Sequence, residues 1–346
     1  MEFTSSFIHN VGIVNGTRIP SQRKFLLEGN AALTEGRRHI VFSTSLQTIE
    51  CWYDASAGKD GTTWLRKGIV QAVGSQCNSP VLGVAQFFIW DLPMCSYRYL
   101  SGGRWYLYTK PSVLSGGATW GANIAQPFGA SYDISTFGCA ADSAGEWGII
   151  VSTYKAGTGY LLQHSRLNGA AIVWSAVVDL PRQWPSTTQV VDYPAIVSFD
   201  VGANKCIEVC WQEYNSGGVG YIQNAFSSDN GASWTLCGGF PIVDYVDFDN
   251  AYRSFYPSID VDVPRGLLHL VYIKQDAGGI YQTYYKKKTL LGQDWGNAVI
   301  INRAYAATGC RDPVVNVAID GRIYVTWSQK NRGLSRTGQT QSESLT

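Results

Sequence analysis

Short apolar and polar runs alternate along most of the chain, and the runs repeat. Three of them are led by proline at their second position: Tyr193-Pro194-Ala195-Ile196-Val197-Ser198-Phe199-Asp200, Tyr256-Pro257-Ser258-Ile259-Asp260-Val261-Asp262 and Asp312-Pro313-Val314-Val315-Asn316-Val317-Ala318-Ile319-Asp320. A turn and a more apolar run follow each, at 206–211, 268–272 and 323–327. A third run opens on Gly with Tyr close behind, at 159–163, 220–223 and 279–282. Runs of this length, rich in β-branched and aromatic residues and bounded by Gly and polar clusters, predict strands. Proline suits the head of a strand, where its missing N–H is tolerated.

A second repeat sets the spacing. Gly-x-x-Trp occurs at Gly61…Trp64, Gly117…Trp120, Gly231…Trp234 and Gly292…Trp295, with Ala171…Trp174 as a degenerate copy. The tryptophans follow one another at steps of 56, 54, 60 and 61 residues. That period fits one four-stranded propeller blade with generous loops. The reading is an all-β chain, a six-bladed β-propeller of four-stranded antiparallel blades, with blade 2 (about 84–128) the least regular. Two strands are missing from the sixth blade after residue 296, and the apolar segment Phe3–Val14 is expected to supply them. The last blade is then closed by strands from both ends. Residues 1–330 form the single propeller domain, and 331–346 form a polar, mobile tail.

Composition supports this and removes several function classes. Charged residues are 15% and aromatics 13%, with 37 Gly and 12 Trp among 346 residues. This suits a β-rich chain with many tight turns. A net charge of +1 gives no broad basic field for nucleic acid. No 18-residue apolar run exists to insert in a membrane. Four dispersed His and no CxxC pair call for no metal, and no cofactor motif is found; Asp-rich turns such as Asp260/Asp262 leave calcium as the open alternative. The start Met1-Glu2-Phe3-Thr4-Ser5-Ser6 lacks a secretory pattern. The expected location is cytoplasmic, or a virion or other lysis-released assembly. The eight Cys are expected to be mostly buried free thiols.

One turn is complete: Ser227-Ser228-Asp229-Asn230-Gly231-Ala232-Ser233-Trp234. Its Ser-x-Asp-x-Gly-x-x-Trp pattern resembles the Asp box of sialidase-like propellers. The other copies keep Trp but carry Lys59, Ser115, Gly169 and Leu290 in place of Asp. The resemblance implies the propeller fold over roughly 28–330 and a structural role for Ser227, Asp229, Gly231 and Trp234 on the outer rim, away from the site.

Sialidases hold a carboxylate with three Arg, the first in an Arg-Ile-Pro motif, and use a Tyr–Glu nucleophile pair with an Asp acid/base. Arg18-Ile19-Pro20 matches that tripeptide, but Thr17 stands where the family has an aromatic and no Asp follows before Asp54. A chance match is the alternative. Arg253 and Arg311 lie just before proline-led strands, with Tyr193, Tyr256 and Asp312 at the strand heads. All of these are expected at the central mouth, where an Arg fork suits carboxylate or sulfate. The alternative is that each Arg pairs with a nearby acid such as Asp249 or Asp312. Asp192 and Asp249 are further rim acids, and Tyr252 or Tyr256 a nucleophile candidate or simply core.

No complete catalytic set is found. The favoured reading is a non-catalytic, lectin-like module that binds a glycan or glycosylated receptor, with a larger surface or virion assembly as its expected setting. The alternative is a sialidase-like glycoside hydrolase or a polysaccharide lyase acting on an acidic glycan.

Overall fold

The computed structural model describes residues 25–28, 37–43, 48–54, 64–71, 76–87, 90–112, 119–129, 131–142, 145–168, 171–182, 189–214, 217–237, 254–275, 278–292, 294–301, 310–317, 323–329 and 343–345. The described strands form six sheets. Sheet 1 holds β1 (Phe25–Glu28), β2 (Arg37–Ser43), β3 (Ile49–Asp54) and β4 (Trp64–Gln71). Sheet 2 holds β5 (Gln76–Phe87), β6 (Trp90–Ser101), β7 (Arg104–Pro111) and β8 (Ile124–Ala125). In sheet 3, β9 (Asp133–Ala141), β10 (Trp147–Lys155) and β11 (Gly159–Asn168) are followed by β12 (Val173–Trp174) and β13 (Val178–Asp179), which both pair with β11. Sheet 4 holds β14 (Val191–Val201), β15 (Asn204–Tyr214), β16 (Gly220–Ser227) and β17 (Thr235–Leu236). Sheet 5 holds β18 (Ser254–Asp262), β19 (Leu267–Gln275), β20 (Tyr281–Thr289) and β21 (Val299–Ile300). Sheet 6 holds β22 (Cys310–Val317), β23 (Ile323–Gln329) and β24 (Glu343–Leu345). Its third strand thus comes from the segment expected to be a mobile tail, while Phe3–Val14, expected to close this sheet, lies outside the described residues.

Each sheet is an antiparallel meander, and five apolar clusters each lie between one sheet and the next. The repeated tryptophans explain their own period. Trp120, Trp174, Trp234 and Trp295 each pack on the cluster shared with the preceding sheet. Trp120 takes the same part as the others, so sheet 2 follows the repeat that its sequence obscures.

The first strands β5, β9, β14, β18 and β22 pack in succession, side by side. Side-chain oxygens stitch one to the next: Thr136 Oγ1 accepts from Tyr193 N at 2.8 Å, Ser258 Oγ from Val315 N at 3.2 Å and Asp260 Oδ2 from Val317 N at 2.8 Å. A Cβ on Gly138 would stand 2.6 Å from the Pro194 carbonyl, so only glycine lets β9 and β14 approach this closely.

Four of these inner strands carry the same irregularity. Ser79-Pro80, Tyr193-Pro194, Tyr256-Pro257 and Asp312-Pro313 are β-bulges, each placing two residues opposite one on the second strand. The residues opposite are Tyr97, Trp211, Tyr272 and Trp327, all buried. Proline fits because a bulge breaks the ladder where its N–H would be needed. The bulges re-aim the head of each inner strand, and that is where the candidate site forms. All eight Cys are buried and unpaired with one another.

Candidate functional site

Asp192, Tyr193 and Tyr256 meet at the heads of β14 and β18. Tyr193 and Tyr256 both have positive φ, 52° and 55°. For bulky residues this costs about 1–3 kcal/mol each. Their rings meet edge to face with centroids 4.6 Å apart, and their side chains are hydrogen-bonded. Both are half-buried.

Asp192 is held from sheet 3. Its Oδ1 accepts from Thr136 Oγ1, from Ser135 Oγ at 3.2 Å and from Tyr193 N at 3.1 Å. All three bonds end on Oδ1, leaving Oδ2 outside this set. Burial pushes the Asp192 carboxyl above the ordinary carboxylate range, against the pull of Thr136, Tyr193 N, Ser135 and Arg98.

Arg98, near the end of β6, completes the cluster. Its Nη1 donates to the Ser135 carbonyl, and its guanidinium carbon lies 4.3 Å from the centre of the Trp105 ring. Burial lowers its pKa to about 10, while Asp192, Asp133 and Tyr193 act in the opposite sense. Asp133 Oδ1 in turn accepts from Trp105 N at 2.7 Å. Burial raises the Tyr193 phenol, reinforced by Asp192 and Tyr256, so it stays protonated and acts as a donor. The assembly is a carboxyl, a guanidinium and two phenols from sheets 2, 4 and 5, anchored on Ser135 and Thr136 of sheet 3. That set can bind hydroxyls, hold an anionic group and deliver a proton.

Of the residues singled out in the sequence, Tyr193 and Tyr256 come together. Arg311 and Asp312 head β22, with Arg311 opposite Ser328 and Asp312 in the bulge; their side chains lie outside the described residues. Arg18, Arg253, Asp249 and Tyr252 lie outside them altogether. Arg98 was missed. Its signal was faint: an Arg flanked by Tyr97 and Tyr99 just before the Gly102-Gly103 turn.

The Ser227–Trp234 turn is built differently. Ser227 Oγ donates to Asp229 Oδ1 at 2.7 Å and accepts from Gly231 N at 2.8 Å; Ser233 N donates to Asp229 Oδ1 at 2.9 Å. Burial raises the Asp229 carboxyl, but the bonds from Ser233, Ser227 and Ala232 N outweigh it and bring its pKa down to about 2. Gly231 has φ +82°, and a Cβ there would lie 2.3 Å from the His164 ring. His164 stands edge-on to Trp234 at 5.2 Å and is kept neutral by burial and by Arg166, with a pKa near 3 despite its Gly231 backbone bond. The turn therefore clamps sheet 4 to sheet 3. The Asp260/Asp262 turn is also spoken for internally, by Val261 N, Val317 N and Arg265. Among the described residues, no three His, Cys, Asp or Glu gather as a metal site, and no helix is long and apolar enough to cross a membrane.

No protein-family model matches the chain, and no curated protein matches its sequence. Solved structures do match its shape. A protein of unknown function from Dyadobacter fermentans aligns with TM-score 0.67 at 11% identity, over 99% of this chain and 96% of that one. An α-L-arabinanase from Penicillium chrysogenum, complexed with arabinobiose, gives 0.58 at 13%, over 96% and 98%. An ulvan lyase of polysaccharide lyase family PL25 gives 0.55 at 12%, over 95% and 84%. The chain thus has an all-β fold of antiparallel sheets, several of them four-stranded, like that of propeller glycoside hydrolases and lyases.

Proposed function

We propose that this chain is a six-bladed propeller enzyme that cleaves an acidic polysaccharide, as a glycoside hydrolase, at the inner-strand site around Asp192. The observation that carries the reading is the state of Asp192. Its carboxyl is raised by burial and anchored through one oxygen. Glycosidic hydrolysis needs such an acid to protonate the leaving oxygen, and a second carboxylate to act on the sugar or a water. Asp133, which shares the field of Arg98, is the second carboxylate. Tyr193 and Tyr256 bind sugar hydroxyls and faces. Arg311 and Arg253, close before two bulges, grip the acidic group. The favoured sequence reading, binding without catalysis, gives way here because the fold's neighbours include glycan-cleaving enzymes, and the raised carboxyl of Asp192 supports the same choice.

A lyase is the second reading, and Tyr193 speaks against it. Elimination needs a base, whereas the Tyr193 phenol is held protonated. His164 and His269 are buried elsewhere, on β11 and β19.

The test is incubation with a panel of uronate-containing and sulfated polysaccharides, following new reducing ends and new unsaturated sugars separately. Reducing ends without unsaturation, lost in Asp192→Asn, are expected. Unsaturated products would establish the lyase reading. Binding without any product would restore the lectin-like one.

A further inference from the structure

The two tyrosines of the site begin a longer line of rings. Tyr256 contacts Phe255 with centroids 5.9 Å apart, and Phe255 contacts Tyr281 at 5.8 Å. With Tyr193 they form an unbroken path from β14 across β18 to the head of β20. The path crosses the top of the seam between sheets 5 and 6, where Phe255, Tyr256 and Tyr281 flank the apolar cluster. The deeper aromatics of that seam, Tyr285 and Trp327, are buried, whereas all four residues of the path are only half-buried. Core packing alone does not call for that. Nor does it call for two bulky residues at positive φ on adjacent sheets. The outer end is pinned as well: Gln275 Nε2 donates to the Gly279 carbonyl at 3.2 Å, fixing the β19–β20 hairpin beside Tyr281.

We infer that Tyr193, Tyr256, Phe255 and Tyr281 form a binding track for several consecutive sugars of one polysaccharide chain, running outward from Asp192 along the seam between sheets 5 and 6. Each ring offers an apolar face to the C–H side of a sugar, and the tyrosine hydroxyls reach its oxygens. The inference rests on the glycan reading above and sharpens it. The substrate is a polymer, and affinity is spread over a row of residues distant from the bond that breaks.

The test uses Asp192→Asn protein with two size-graded ladders, dimer to hexamer: oligouronides and neutral gluco-oligosaccharides. Affinity is read by calorimetry. KM on the same ladders for the wild type provides a second readout if the variant melts early. The expected result is affinity that climbs with length, by about tenfold between dimer and hexamer on at least one ladder. Tyr281→Ala in the same background should flatten the climb, and Tyr281→Phe, which keeps the ring, should restore it. A flat ladder, no binding on either, or an equal loss for dimer and hexamer in Tyr281→Ala overturns the track. A climbing ladder with a wild type that cleaves nothing removes the hydrolase reading and leaves the track. Cleavage with a flat ladder does the reverse.

Discussion

Asp229 and Asp192 are the same side chain in two employments. Asp229 sits exposed in a rim turn, and its hydrogen bonds hold it ionised, with a pKa of about 2. Asp192 sits at the head of an inner strand, and burial there raises its carboxyl above the ordinary carboxylate range. In the first, every bond stabilises the charge and the turn; the carboxylate is consumed by the fold. In the second, the bonds reach one oxygen, and the fold bears the cost of a carboxyl it does not fully satisfy. A third carboxylate shows that burial alone does not separate them. Glu208 is fully buried and also raised, yet Lys288 Nζ lies 2.8 Å from it and Asn224 bonds the same oxygen. Glu208 is sealed between sheets 4 and 5, where no substrate reaches it.

The largest expected effect is on chemistry. Asp192→Asn should lower kcat/KM on a cleaved polysaccharide by roughly 10²–10⁴-fold with little change in melting temperature. In the parent, cleavage should decline as pH rises through a value above the ordinary carboxylate range, as Asp192 gives up its proton. An unchanged rate in the variant would return Asp192 to the status of Asp229.

Next comes the sealed carboxylate. Lys288→Met removes the cation that faces the fully buried Glu208, so it should cost about 3–5 kcal/mol in denaturant unfolding. The double variant Glu208→Gln/Lys288→Met should recover most of that. At the rim, Gly231→Ala forces a Cβ into His164 at a positive φ and should cost about 2–3 kcal/mol, while activity per folded molecule is retained.

The smallest effects carry opposite signs. The lowered pKa of Asp229 adds stability above the ordinary carboxylate range that is lost as pH falls toward about 2. The raised pKa of Asp192 adds stability at low pH that is lost as pH climbs through its folded value. Melting curves against pH should therefore flatten on the acid side in Asp229→Asn, and on the side of rising pH in Asp192→Asn. Flattening on the same side in both would erase the contrast.

The strand repeat was legible because the seams between sheets impose it: Trp120, Trp174, Trp234 and Trp295 each pack in the seam behind their sheet, so the spacing of the sheets is written as a spacing of residues. The proline-led strand heads were legible too, as proline tolerates few positions. The site was only half readable. Tyr193 and Tyr256 were found from the head motif, but their positive φ values and mutual contact arise from bulges that no local pattern declares. Arg98 and Asp133 join the site only because three sheets converge there, and nothing in the residues near 98 points to residue 192.

The meander topology also bears on how the chain reaches this state. Within the described sheets, nearly every ladder joins a strand to the one just before it, so the pairing is local in sequence, and closure entropy grows only slowly with the length of the loops between. Sheets can therefore form one after another, as a queue of local hairpins. By the same rule β24, whose three residues pair with β23 across a longer stretch of chain, closes at a higher entropic cost. Asp192 and the groups that hold or face it on sheets 2 and 3, Arg98, Ser135 and Thr136, all precede sheet 5 in the chain, so a half-made chain already contains every residue of that carboxyl's anchorage.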